Sequence, residues 1–181
     1  MKPLFTIVFV VSLLLVACKT EDNHTAQYVR VLFSNGKVFG EGNQLYSTVK
    51  KDTIKIGIWK IYYPNGQLRD ETELDNEGEV IRYNSYSDVG VLIATGSRKD
   101  NLWFDSEFFD SGTLKREKIT HTNYYEDKKE DTVYIKEYYS SGRLMEESRY
   151  LNDELDGIRK MWDMSGNIVL DCTYNRGQIQ K

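Results

Sequence analysis

Side chains able to do chemistry are sparse in this chain. Histidine occurs at His24 and His121, and cysteine at Cys18 and Cys172. A nucleophilic thiol needs a base beside it, and a metal centre needs Cys or His at ligand spacing. Neither arrangement is present, and Cys172, within "IVLDCTY", reads as a small apolar residue on a strand. Carboxylates cluster in "DETELDNEGE" (70–79) and "YYEDKKED" (124–131). The first lacks the alternating oxygen ligands and closing bidentate glutamate of a calcium loop. The second carries Lys128 and Lys129 where a cation would sit. Both read as solvated loops. With no phosphate-cradling glycine loop and no nucleophile elbow, the expectation is a protein without catalytic residues, metal or cofactor, and not an enzyme.

One covalent chemistry does have a motif. The first residues, "MKPLFTIVFVVSLLLVAC", carry one cation at Lys2 and an apolar run from Leu4 to Ala17. That run is too short for a comfortable membrane span of about 20 residues and has the length of a secretory core. Leu15-Val16-Ala17-Cys18 resembles a bacterial lipobox, which implies a signal peptide over 1–17 and acylation of Cys18. The acyl chains would anchor the protein to a membrane. The polar stretch "KTEDNHTAQ" (19–27) then serves as a tether, making 18–27 a lipidated linker. Lys19 stands where aspartate would resemble an inner-membrane retention signal, which favours the outer membrane. Asp-Thr at 52–53 and 131–132 resembles an O-glycosylation acceptor, with Thr53 and Thr132 as candidates. The same dipeptide also suits a turn leading into a strand.

The segments that must position these groups follow one pattern. At 181 residues and net charge −4, with 13 tyrosines, 13 glycines and 2 prolines, the composition is that of strands and turns. The mild negative charge argues against nucleic acid as a partner. "YYPNGQL" at 62–68 returns as "FFDSGTL" at 108–114 and "YYSSGRL" at 138–144, and more loosely at 86–92, 162–168 and 32–38. Aligned on Gly66, Gly90, Gly112, Gly142 and Gly166, the residue four before is Tyr62, Tyr86, Phe108, Tyr138 or Trp162. The residue two after is Leu68, Leu92, Leu114, Leu144 or Ile168.

Turn chemistry accounts for those columns. A three-residue hairpin loop runs through a type I turn and ends on a left-handed residue, where glycine fits best. Tyr62 should then face Leu68 across the hairpin, and every other copy should make the same aromatic–aliphatic clamp, worth about 0.2–1 kcal/mol beyond an alanine pair. The outgoing strands are apolar and the return strands charged, so the core should be thin. Single hairpins are marginal, and neighbours must stack to stabilise one another.

"GIWKIYYPNGQL" (57–68) and its copies resemble the bacterial MORN-repeat variant, some of whose members are described as antitoxin-like. The resemblance covers residues 54–181 and implies an all-β fold of consecutive antiparallel β-hairpins forming an extended, twisted meander sheet over 28–181. It implies little about activity. The expected function is a membrane-anchored, non-catalytic interaction or scaffold module of the cell envelope. Its partner would be another envelope protein or a glycan, and a toxin-neutralising protein is the alternative. Trp59, Tyr63, Trp103, Phe109, Tyr134 and Tyr139 exceed what the clamp needs and form the candidate interaction surface.

Overall fold

The computed structural model describes residues 25–47, 50–125 and 128–180, which contain thirteen strands and no helix. The chain divides into two units between Gly90 and Val91. The first holds Gln27–Leu32 (β1), Val38–Ser47 (β2), Asp52–Tyr62 (β3), Leu68–Leu74 (β4) and Val80–Tyr86 (β5). The second begins with Leu92–Lys99 (β6), Leu102–Phe108 (β7), Leu114–Tyr125 (β8) and Lys128–Tyr138 (β9). It continues with Leu144–Leu151 (β10), Glu154–Trp162 (β11), Ile168–Asn175 (β12) and Gln178–Gln180 (β13). Within each unit every strand pairs antiparallel with its neighbour in sequence. The all-β meander of consecutive hairpins is the fold.

The turns carry the expected geometry. Tyr63 N–H donates to the Gln67 carbonyl, and Gly66 N–H to the Tyr63 carbonyl, both at 2.8 Å. Gly66 closes the loop at φ 95°, a conformation that glycine adopts without steric penalty. The same two bonds close the turns at Gly36, Gly112, Gly142 and Gly166. Beyond them Tyr62 faces Leu68, Phe108 faces Leu114, Tyr138 faces Leu144 and Trp162 faces Ile168. Leu32 faces Val38 around Gly36, so a full repeat turn lies before residue 54. Gly90 N–H donates to Ser87 at 2.9 Å; Tyr86 closes β5 in one unit and Leu92 opens β6 in the other.

Two local features were not anticipated. The residue after each aliphatic clamp member bulges out of the return strand, at Arg69, Lys115, Met145 and Val169. Such bulges add right-handed twist. At the opposite ends of the hairpins the turns vary: the one at Gly78 repeats the same two bonds, and two others are of a different kind. Asn152 (φ 49°) and Asp153 (φ 67°) link Leu151 to Glu154, and Arg176 (φ 47°) and Gly177 (φ 76°) link Asn175 to Gln178. Two successive positive φ values define a type I′ turn, whose twist matches that of the strands it joins.

The two carboxylate-rich stretches are not solvated loops. Residues 70–74 lie within β4, and 75–78 form a tight turn in which Asp75 Oδ1 accepts from the Glu79 and Glu77 N–H groups at 2.8 and 3.1 Å. In the second stretch β8 runs to Tyr125 and β9 starts at Lys128, the two residues being directly paired. In β4, Glu71 faces Lys60 and Glu73 faces Arg82, while in β9 Asp131 accepts from Thr122 across the strand pair and is held by Lys129 of its own strand.

The core is thin, as a single layer of sheet requires. Trp59 and Val133 are the buried hydrophobic residues among those described. The Trp59 indole lies flat on Gly42, where an added Cβ would come within 2.6 Å of the ring. Its Nε1–H donates to the Asn43 carbonyl, and the Lys55 ammonium stands 4.5 Å from the ring centroid. Burial at 6% exposure removes Trp59 from the candidate interaction surface: it is a structural side chain.

Candidate functional site

Alternation along a strand puts every second side chain on one face, and cross-strand partners share that face. The face carrying the clamp rings carries a row of alternating charge beside them. In the first unit Arg30, Glu41, Lys60 and Glu71 stand side by side on β1 to β4. Arg30 Nη2 lies 2.9 Å from Glu41, and Lys60 Nζ lies 3.3 Å from Glu71. In the second unit Glu117, Lys136, Glu147, Lys160 and Asp171 form the equivalent row on β8 to β12, with Lys160 and Asp171 at 3.4 Å. Exposed pairs contribute about 0–1 kcal/mol each, so the row acts mainly on register. A slip of one residue would carry each charge to the opposite face and break every pairing.

The clamp tyrosines tie into these rows. Tyr62 Oη donates to Glu41 at 2.8 Å, and Tyr138 Oη to Glu117 at 2.6 Å, each reaching back 21 residues to the preceding hairpin. The next tyrosine of each copy reaches forward: Tyr63 Oη donates to the Tyr86 carbonyl at 2.9 Å and Tyr139 Oη to the Trp162 carbonyl at 2.8 Å. Turns also touch the turns that follow, through Asn65 to the Asp88 carbonyl and Arg143 to the Met164 carbonyl. Paired aromatics are thus the fasteners between hairpins, one ring facing each neighbour.

Burial and then the glutamate acceptor push both the Tyr62 and Tyr138 phenols up to about 12. The Tyr62 hydrogen bond, followed by one from Tyr28, holds Glu41 below its usual carboxylate value. A phenol raised by folding stabilises the fold below its ordinary value of 10.0, and that contribution disappears as pH climbs to about 12. The depressed Glu41 contributes above the ordinary carboxylate value, and its contribution is lost as pH falls through the lowered one. Tyr62→Phe should therefore lose about 1–2 kcal/mol at neutral pH and flatten both limbs of a plot of urea midpoint against pH. Tyr138→Phe should flatten the alkaline limb. Variants that lose stability as steeply as wild type at both extremes would contradict this assignment.

The same face carries exposed apolar side chains in one alignment column, eight residues before the turn glycine. Tyr28 and Ile58 occupy it in the first unit, 60% and 47% exposed. Tyr134 and Ile158 occupy it in the second, 49% and 45% exposed. The Arg149 guanidinium stands 5.9 Å from the Tyr134 ring and is held by the Asp156 side chain and carbonyl at 2.6 and 2.7 Å. In each unit an interrupted apolar stripe of two side chains, with Asn43 across from Tyr28 and Arg149 across from Tyr134, therefore stands beside a charge row.

Of the six aromatics picked out by sequence, Tyr134 alone lies in this stripe. Tyr63 and Tyr139 are half-buried fasteners, and Phe109 is half-buried at the turn before Gly112, where its N–H and carbonyl close the loop. Trp103 is half-buried on β7 and donates to Asp105. Tyr28, Ile58 and Ile158 were missed, although extending the repeat alignment upstream of the clamp would have found them. Thr53 is exposed on β3, whereas Thr132, at 8% exposure on β9 opposite His121 and Leu151, is buried and cannot accept a glycan in the folded chain. Cys18 lies outside the described residues. Cys172 is half-buried on β12.

Residues 55–76, the β3–β4 hairpin with its Gly66 turn, match the MORN repeat variant family. No curated protein matches the chain. The fold and this match define a repeat protein, and repeats of this kind suggest interaction with protein or membrane.

Proposed function

We propose that this chain is a lipid-anchored envelope protein whose repeat sheet is a non-catalytic docking module for another envelope protein. The lipobox-like Leu15–Cys18 supports the anchor, and Lys19 after the cysteine supports outer-membrane placement. The observation that carries the docking role is the apolar stripe, Tyr28 with Ile58 and Tyr134 with Ile158, lying exposed beside the charge rows. Tyrosine and isoleucine on a rigid strand bury area at small entropy cost, and flanking charges select a partner of complementary pattern.

Two variants test the parts separately. Cys18→Ser should abolish incorporation of labelled fatty acid and release the protein from membranes. Serine at Tyr134 and Ile158 together should leave anchoring and melting intact and deplete partners recovered by crosslinking in intact envelopes by roughly tenfold. Recovery of no partner above background by wild type, or of the same partners by the serine variant, would refute the docking role.

A further inference from the structure

One rule governs how each hairpin joins the next within a unit. The residue five after a turn glycine faces the residue six before the next: Glu41 faces Lys60, Glu71 faces Asn84, Glu117 faces Lys136 and Glu147 faces Lys160. The outermost holders of these positions are Arg30 on β1 and Asp171 on β12. Their side chains are 55% and 52% exposed. Each has one opposite charge beside it, Glu41 and Lys160, where inner members of the rows stand between two.

The backbones at these places are open as well. Among the described residues no strand lies along the outer side of β1, and on β12 the outer side is covered only at Thr173–Asn175, by β13. Among the described residues, 168–172 therefore have no strand on this side, and they include Ile168 and Val169 at 56% and 62% exposure. An unpaired edge with exposed β-branched side chains invites another strand.

We propose that this edge of β12 takes up Val29–Leu32 of β1 from a second copy of the chain, antiparallel and in the register that joins the hairpins of each unit, with β13 released from Thr173, which Tyr28 of the second copy then faces. Asp171 then meets Arg30 of the second copy and extends the alternation of charge without a break. Leu170 faces Val31 and Cys172 faces Val29, apolar beside apolar, while Ile168 and Val169 gain Leu32, itself 41% exposed. Joining like edges in the register centred on these charges gives the opposite result: two β1 strands bring Arg30 onto Arg30, and two β12 strands bring Asp171 onto Asp171. Like charges directly opposite destabilise a strand pair. The favoured contact is heterologous, so each added copy exposes a fresh edge and chains grow head to tail.

Sedimentation of the full chain in a non-ionic detergent at low salt tests this. Wild type should form species larger than a dimer as concentration rises, and added salt should weaken them. Arg30→Asp and Asp171→Arg should each raise the concentration needed for association by roughly tenfold or more. An equal mixture of the two should associate again, because each altered end meets its complement on the other variant. Each reversal sets a like charge against Glu41 or Lys160, so unfolding midpoints should fall, but only by the small amount an exposed pair contributes. Should a reversal unfold the chain, Arg30→Gln and Asp171→Asn must show the same weakening to a smaller degree. A monomer at all concentrations, a dimer as the largest species, single variants that associate like wild type, or a mixture that stays apart would each overturn the proposal.

Discussion

Trp59→Ala should destabilise the first unit by about 3–4 kcal/mol, the range for removing a buried indole. In a sheet with so few buried side chains, little else can close over the space. Trp59 is also the contact for three other groups: the Gly42 backbone beneath it, the Asn43 carbonyl at its N–H and the Lys55 ammonium at its ring. The converse change, Gly42→Ala, should act through the same contact, since its Cβ would fall 2.6 Å from the ring carbons and force the indole off the strand. Hydrogen exchange on β2 to β4 should accelerate in both variants. A urea midpoint for Trp59→Ala indistinguishable from wild type would show that the indole does not hold these strands together.

Arg159→Met should cost about 2–3 kcal/mol, because it strands a buried carboxylate. Glu146 is buried on β10, and the Arg159 guanidinium grips both its oxygens at 2.9 and 3.2 Å. On its other side Glu146 faces Glu137, a like charge that Arg159 offsets. Changing both partners, Arg159→Met with Glu146→Met, should recover most of the loss, since an apolar pair leaves nothing unsatisfied. Chemical unfolding of both variants checks this, and a double variant no more stable than the single would contradict the pairing.

The hairpins were legible in the sequence because everything that defines them is local. Tyr62, Gly66 and Leu68 lie within seven residues of one another, and turn chemistry fixes who faces whom. The contacts between hairpins depend on register, which local spacing does not reveal. Trp59 looked available for a partner because its cover is Gly42, 17 residues upstream across a slip in pairing between Glu41 and Asn43. The Asp-Thr dipeptide that singles out Thr132 says nothing of the strands on either side, β8 and β10, that bury it. The charge rows and the apolar stripe occupy an intermediate position. Their residues stand in fixed columns of the repeat, six and eight before the glycine and five after it, and only the pairing rule turns those columns into rows.

That rule also explains why glutamates and lysines populate strands that a composition reading assigns to loops. Glu41 stands between Arg30 and Lys60 and accepts from Tyr62, and Glu147 stands between Lys136 and Lys160. Polar side chains joined across strands take the part that an apolar second layer plays in other sheets.

The most direct measurement is a set of proton–proton distances in solution, from nuclear Overhauser spectra of the isotope-labelled chain. Ring protons of Tyr138 should show contacts to the Leu144 methyls within their own hairpin and to the Glu117 side chain in the preceding one, with Tyr62 repeating both contacts to Leu68 and Glu41. Rings that contact their aliphatic partners but not the preceding glutamates would mean the hairpins do not stack in this register, and the account of the sheet would fail.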